Sequence, residues 1–318
     1  MRKTNAMVES GILAAVAIVM AIIAMYIPVV GAFVNFVWPL PIIACGVRNG
    51  LKWSLLTTVV AGLVCAMLLN PLQAFCLVAI FGILGIVLGE CLRRNTRPLA
   101  LLTYGTLAGI LALAINFAIA FWIMDINPVA MMFDSFDSSL VQLADFQRAH
   151  GATEAEIAAS IEGYTQMIKM MRIIMPGAFL ISAPALAFIN YWCAKKVLTK
   201  LGNRFEPLPP FRELCIPAWC ILPYGLSLVA VAYFLQQDPN GWPYLTSVNV
   251  QVVFSFLFML QGLSLIYWYV HTKNKPKWWA HAATVLIFVQ LISFAILWIG
   301  AFDSIADFRK LRKGAKTA

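Results

Sequence analysis

Charged side chains are scarce in this sequence. Lysine, arginine, aspartate and glutamate make up 12% of its 318 residues, whereas hydrophobic residues make up 62%. Soluble domains carry about a quarter charged residues, and half that share cannot cover the surface of a water-soluble globule. Soluble enzymes, disordered chains and nucleic-acid-binding proteins are therefore disfavoured, although the net charge is +9. The composition indicates an integral protein of the lipid bilayer, with no nucleic acid among its partners.

Motifs for redox, metal and nucleotide chemistry are also missing. None of the seven cysteines belongs to a CxxC pair, and His150, His271 and His281 lie in no metal-ligand spacing. The sequence contains no HExxH, GxSxG or GxxxxGK[ST] motif, which disfavours zinc hydrolases, serine hydrolases and chains that hydrolyse nucleotides themselves. We therefore expect no metal site, no cofactor and no enzymatic activity.

Long apolar runs dominate what is present. Arg2 and Lys3 precede a first run that continues past Met25 without a signal-peptide cleavage site, so a retained first helix is expected. The second run is interrupted by Pro39 and Pro41 and is either a short span or a re-entrant segment. A membrane-spanning helix needs about 20 apolar residues, and this length predicts an all-α, polytopic transmembrane bundle with nine spans, at roughly 9–29, 31–47, 52–70, 72–90, 100–123, 172–194, 216–236, 247–270 and 280–300.

Basic residues are distributed unevenly between the predicted loops. If the N-terminus is cytoplasmic, the inner loops hold fifteen lysines and arginines, whereas the outer loops hold Arg148, Lys169 and Arg172. Such an excess is typical of cytoplasmic loops, so we expect a cytoplasmic N-terminus. The tail at 302–318 conflicts with this arrangement, because it contains five basic residues and yet an odd number of spans places it outside.

Two hydrophilic segments divide the chain. An insert at 125–171, on the predicted outer side, contains seven acidic residues. Its capping-box sequence Thr153-Glu154-Ala155-Glu156 predicts the start of an amphipathic helix, and a solvated connector is the alternative. A cytoplasmic linker at 197–213 contains three prolines. The predicted organisation is a six-span domain at 1–196, the linker, a three-span bundle at 214–301 and a basic tail at 302–318.

Polar side chains near the predicted outer ends of the first six spans are candidates for a ligand site. An amide group inside a bilayer is costly unless it is paired, so it faces the bundle interior or a cavity. Such amides either line a ligand pocket or form hydrogen bonds between helices. Both interpretations stay open for these amides. Two tryptophans that lie near them in the sequence are included as candidates. The candidate ligand-binding residues are Asn35, Trp38, Asn70, Gln73, Asn116 and Trp122.

Small residues mark one face of the first predicted helix. Ala17 and Ala21 are four residues apart, and such a pair of small residues lets another helix approach closely. We therefore identify Ala17 and Ala21 as candidate helix-docking residues. Packing within the chain is the alternative.

These features resemble known membrane proteins. The alanine-rich first helix, the proline-broken second segment, the sequence Gly-Val-Arg-Asn-Gly at 46–50 and Asn70-Pro71 resemble substrate-binding (S) components of energy-coupling-factor vitamin transporters, over roughly 1–196. The whole chain more closely resembles the bacterial YybS-like family of uncharacterised multi-pass membrane proteins, which looks related to that group. The resemblance implies an S-component-like six-helix half with an outward-facing pocket and three additional spans. It also implies that Ala17 and Ala21 dock a transmembrane coupling subunit driven by two ATPases.

The residues and the resemblance together predict a multi-pass protein of the bacterial cell (inner) membrane. Its expected function is to bind a small hydrophobic or amphipathic solute and to help its import. The alternative is a non-transporting scaffold or accessory protein of cell-envelope biogenesis, with an envelope protein as its partner. A concave outer cavity of about 300 Å³ or more would favour binding, and a filled bundle would favour the scaffold.

Overall fold

The protein is all-α, as predicted. The computed structural model describes residues 2–69, 71–122 and 124–309, and within these ranges it contains helices and no strands. A π-helical turn, Val78–Gly82, joins α5 to α6, and short 3₁₀ turns lie at Phe211–Glu213 and Ala218–Cys220. The α-helices of these ranges are α1 (Arg2–Tyr26), α2 (Pro28–Val37), α3 (Leu40–Asn49), α4 (Leu51–Leu68), α5 (Pro71–Leu77), α6 (Ile83–Arg93), α7 (Pro98–Trp122), α8 (Pro128–Ala149), α9 (Glu154–Lys200), α10 (Ile221–Gln237), α11 (Trp242–Thr272), α12 (Trp278–Leu286) and α13 (Gln290–Ala306).

Eight helical segments in the described ranges are long and apolar enough to cross a membrane. They correspond to the first eight predicted spans, and the proline-interrupted second one, Val29–Asn49, is among them. The ninth predicted span, 280–300, is not a straight helix. It is divided between α12 and α13, which are bent by 113° at a short break. The polytopic helical fold is thus confirmed, and its last predicted span is a bent pair of helices.

The chain forms two compact units. The first contains the residues up to Leu143 together with Ser182–Leu208, and the second contains Ala144–Ile181 together with the residues from Pro209 onward. The long helix α9 belongs to both units, because the boundary falls within it. The organisation into a six-span domain, a linker and a three-span bundle stays a prediction.

Buried small and aromatic side chains hold the first unit together. Trp38, in the turn between α2 and α3, is fully buried, and its indole N–H donates a hydrogen bond to the Ala17 carbonyl of α1 at 2.8 Å. Around this contact lie Ile42 of α3 and Ala61 of α4. A second cluster packs leucines of α6 against α7 and Tyr191 of α9. Alanines at these crossings let the helices approach closely.

The core of the second unit is formed by α10, α11 and α13. Tyr224 of α10 packs edge-on against Phe258 of α11, with 5.3 Å between their ring centres. Asn249 of α11 binds the N-terminal part of α9: its amide donates to the Ile173 carbonyl at 2.8 Å and accepts from the Gly177 N–H at 2.6 Å. This side chain therefore ties α9 to α11 within the unit.

A buried ion pair joins the end of α13 to α11 and to the segment before α10. Arg309 donates to the Asp303 carboxylate at 2.7 Å, and both side chains are only 1% exposed. The same guanidinium donates to the carbonyl oxygens of Arg212 and Leu214, at 2.7 and 2.8 Å, and to the Ser264 hydroxyl at 2.8 Å. We call this group of hydrogen-bonded side chains the Asp303–Arg309 network.

Gln261 completes the Asp303–Arg309 network. It donates to the Asp303 carboxylate at 2.5 Å and accepts from the Ile216 N–H at 2.9 Å. Asp307 follows α13 with a left-handed φ of 47°, and its N–H bonds to the Asp303 carbonyl at 2.9 Å, a turn that reverses the chain towards α11. The predicted basic tail at 302–318 is therefore helical and packed over its first part, and 310–318 lie outside the described residues.

The predicted insert at 125–171 contains the whole of α8 and the beginning of α9. The capping box is confirmed, because the Glu156 N–H donates to the Thr153 hydroxyl at 3.3 Å and the Thr153 N–H donates to the Glu156 carboxylate at 2.8 Å. From this start α9 continues through Pro176 to Lys200. The sequence pattern predicted the helix at 154 but not α8.

Candidate functional site

A cavity of about 590 Å³ opens at one end of the first unit. It lies among the last turns of α1 and α2, the α4–α5 turn, the C-terminal part of α7 and the start of α8, which is the end that the charge distribution predicts to face outward. Its walls are mostly apolar, as at Met25, Leu72 and Phe81. Pockets for small molecules have about this volume and this apolar character. We call it the amide cavity, after its two asparagines.

Asn35 and Asn116 supply amide groups to the amide cavity. The Asn35 Oδ1 and Asn116 Nδ2 atoms are buried and have no hydrogen-bond partner among the described residues. A buried polar atom left unpaired costs about 1–3 kcal/mol. One of these atoms accepts and the other donates a hydrogen bond, so together they suit a solute with a small polar group. Within the described ranges, no group of three His, Cys, Asp or Glu side chains could hold a metal ion.

The structure separates the two predicted tryptophans from these amides. Trp38 is fully buried in the core of the first unit, where its indole is already bonded to Ala17, and Trp122 is 87% exposed. Neither is among the described residues that line the amide cavity, and their assignment as ligand-binding residues stays a prediction. Asn70, and the side chain of Gln73, lie outside the described residues.

Ala17 and Ala21 are covered by this chain itself. They are 0% and 3% exposed, and both belong to the cluster around Trp38. Ala21 also contributes to the wall of the amide cavity. The small side chains therefore serve close packing within the first unit. Their assignment as residues that dock a coupling subunit stays a prediction.

Helix α8 contributes cavity residues that the sequence reasoning missed. Met131, Met132 and Ser135 line the amide cavity, and methionine side chains adapt readily to ligands of different shape. The signal for this helix is Asn127-Pro128. The Asn127 side chain accepts hydrogen bonds from the backbone N–H groups two and three residues later, at 3.1 and 3.0 Å, and proline suits the first helical position.

The π-helical turn Val78–Gly82 borders the same cavity. Its residues Ile80 and Phe81 belong to the cavity wall. A π-helical turn rotates the side chains that follow it relative to a regular α-helix, and such turns are frequent at functional sites. The sequence predicted a continuous span at 72–90, and hydropathy alone gives no signal for this turn.

Comparison with known families covers most of the chain. The family model described as "Predicted membrane protein (DUF2232)" matches residues 15–304. The chain belongs to this family. A Bacillus subtilis (strain 168) relative described as "Uncharacterized protein YybS" is 25% identical over 304 residues, which cover 95% of this DUF2232 protein and 97% of the relative. The predicted resemblance to YybS-like proteins is confirmed.

The comparison with solved structures gives no significant match. The relation of this DUF2232 protein to S components of energy-coupling-factor transporters therefore stays a prediction. The same holds for the coupling subunit that the relation implies.

Proposed function

We propose that this DUF2232 protein binds a small hydrophobic or amphipathic solute in the amide cavity and helps its import. One observation carries the proposal: an apolar cavity of about 590 Å³ contains two buried amide atoms, on Asn35 and Asn116, without partners among the described residues. Apolar walls favour the hydrocarbon part of a solute, and the amides orient its polar group. The proposed role is binding without catalysis.

The proposed setting is the bacterial inner membrane, with a cytoplasmic N-terminus and the amide cavity open to the outside. The support is the division of loop charges, fifteen basic residues against three. Because the sequence contains no nucleotide-hydrolysing motif, import in this scheme depends on a separate energy source.

Substitution of Asn116 by leucine is expected to weaken solute binding without destabilising the empty protein. The Asn116 Nδ2 atom has no hydrogen-bond partner among the described residues, whereas a bound solute would lose a hydrogen bond worth about 1–3 kcal/mol, which is a roughly 5- to 150-fold change in affinity. Mass spectrometry of small molecules extracted from the purified protein identifies the solute. Titration of wild type and variant with that solute then measures the change.

Asn190→Leu is the matched control. Asn190 of α9 is fully buried, and its amide donates to the Phe36 and Leu186 carbonyls, both at 3.0 Å, so its loss should lower the melting temperature. If Asn116→Leu also lowers the melting temperature and no solute is retained by the wild type, the amide is structural. That outcome would favour the scaffold function.

We also propose that α12 and α13 form a re-entrant pair that does not cross the membrane. Both ends of the pair lie near one short segment, 210–214: Lys277, just before α12, lines a pocket with Arg212, and Arg309, just after α13, donates to the Arg212 and Leu214 carbonyls. A pair that enters and leaves at the same place returns the chain to the side on which it started. The basic tail is then cytoplasmic, in agreement with the charge rule.

Cysteine labelling in a variant without the seven native cysteines tests this topology. An impermeant maleimide should label Arg148→Cys in intact cells, and Lys200→Cys and Phe308→Cys only after permeabilisation, because eight spans and a re-entrant pair place the last two inside. Phe308 is 58% exposed, so it is accessible to reagent. Labelling of Phe308→Cys in intact cells would show that the pair crosses.

A further inference from the structure

A second pocket, of about 500 Å³, lies in the second unit, apart from the amide cavity. It is formed by Pro210–Arg212, the C-terminal end of α11 and the start of α12, and we call it the basic pocket. Its described lining contains three cations, Arg212, Lys275 and Lys277, and no carboxylate. The carboxylate of Glu213, outside the lining, is 3.9 Å from the Arg212 guanidinium, at the limit of an ion pair. The pocket therefore carries an excess of positive charge that an anion can neutralise.

Hydrogen-bonding groups line the pocket between these cations. The Tyr267 hydroxyl is held 3.3 Å from His281 Nδ1 and 3.0 Å from the Thr284 hydroxyl, and the Tyr267 ring packs edge-on against Phe211. His271 is a further member of the lining. The nine-residue helix α12 begins at this pocket, so the positive end of its dipole adds to the field of the lysines. Hydroxyl and imidazole groups beside cations suit a phosphate group.

Exposed aromatic side chains next to the basic pocket favour a position at the surface of the bilayer. Trp278 and Trp279 directly follow Lys277, stack at 4.4 Å, and are 58% and 54% exposed. Tyr269, near the end of α11, is also exposed. Tryptophan and tyrosine collect at the depth of the lipid headgroups, and basic pockets between helices on the cytoplasmic side suit anionic headgroups.

We propose that the basic pocket binds a phosphate group, carried by an anionic phospholipid of the cytoplasmic leaflet or by a free phosphate anion. Arg212, Lys275 and Lys277 supply the charge, and Tyr267 with the two histidines supplies directional contacts. Because Arg212 also belongs to the segment that Arg309 holds in place, a bound phosphate would join this segment to the start of α12. Binding is therefore expected to stabilise the folded protein.

The test compares melting temperatures of the purified full-length protein in a neutral detergent. The probes are short-chain phosphatidylglycerol, short-chain phosphatidylcholine and inorganic phosphate, at matched concentrations. If only phosphatidylglycerol raises the melting temperature, the pocket is a lipid site. If inorganic phosphate raises the melting temperature at least as much as phosphatidylglycerol does, the pocket is a free-anion site. Either result supports the proposal, provided that phosphatidylcholine, whose headgroup has no net charge, has a smaller effect.

Two matched variants separate the pocket from general surface charge. In the pocket variant, Arg212→Gln/Lys275→Gln/Lys277→Gln, the anionic probe should no longer raise the melting temperature. Lys52→Gln/Lys200→Gln/Arg204→Gln removes the same charge from exposed positions on the predicted cytoplasmic side and should still respond to the probe. The proposal is overturned if neither anion raises the melting temperature, or if the pocket variant responds as the wild type does. The folded state of each variant is checked first by its melting temperature without any probe.

Discussion

Substitution of Gly300 by leucine is expected to unfold the second unit. Gly300 of α13 crosses Gly262 of α11, and a Cβ atom at Gly300 would overlap the Phe258 carbonyl oxygen, while one at Gly262 would overlap that of Ile296. A backbone carbonyl cannot swing aside as the end of a side chain can, so the helices would have to separate. Even alanine at Gly300 should lower the free energy of unfolding by about 3 kcal/mol, the upper end for overpacking a core.

Gly225→Ala is the control for this prediction. Gly225 lies within α10, and a Cβ atom there meets nothing within 4 Å, so alanine should add about 0.5–1 kcal/mol of stability through helix propensity. The measurement is the yield of monodisperse protein and its melting temperature in detergent. A Gly300→Leu protein with the same melting temperature as the wild type would contradict the close crossing of α11 and α13.

Removal of Arg309 is expected to have an effect of similar size. In Arg309→Leu the buried Asp303 carboxylate loses its cation, the Arg212 carbonyl loses its donor, and the Leu214 carbonyl keeps only the Ser264 hydroxyl as a donor, at 3.3 Å. Breaking one side of a buried ion pair costs about 3–5 kcal/mol. The melting temperature should fall, and proteolysis should become faster at the segment before α10, which these hydrogen bonds hold.

The double variant Asp303→Leu/Arg309→Leu distinguishes a buried charge from a general packing defect. It removes both charges, so it should be more stable than Arg309→Leu alone, although the hydrogen bonds from Arg309 to the Arg212 and Leu214 carbonyls stay lost. Arg148→Leu is the exposed control: Arg148 is paired with Glu154 at 2.8 Å, but the two side chains are 55% and 74% exposed, and a change below about 1 kcal/mol is expected. If Arg148→Leu and Arg309→Leu lowered the free energy of unfolding equally, the buried ion pair would contribute no more than the exposed one, which would contradict the prediction.

Local features of the sequence were sufficient for the helices and for part of the candidate site. A run of apolar residues long enough to cross a bilayer can be recognised without knowing its neighbours, and eight of the predicted runs are helices long and apolar enough to do so. The capping box at Thr153 was predictable for the same reason, because its bonds join residues three apart. Asn35 and Asn116 were found because an amide within an apolar run needs an interior environment, and both line the amide cavity.

The direction in which a side chain faces depended on its neighbours. Trp38 and Trp122 occupy similar apolar surroundings in sequence, yet one is fully buried and the other is 87% exposed. Ala17 and Ala21 form a small-residue face that fits a partner helix equally well within or outside the chain, and the turn containing Trp38 covers it. No local sequence pattern predicts which segment packs on such a face.

The sequence alone determined that this is a polytopic, helical membrane protein and which amides need an interior environment, because hydropathy and the cost of an unpaired polar group act on each segment separately. Only the tertiary structure decided that 280–300 is bent by 113°, that Arg309 of the basic tail is buried and paired with Asp303, and that α8 lines the amide cavity. The physical reason is that these features depend on contacts between residues far apart in sequence. The Arg309–Arg212 hydrogen bond joins residues 97 positions apart, and the crossing of Gly262 and Gly300 exists only where two backbones meet.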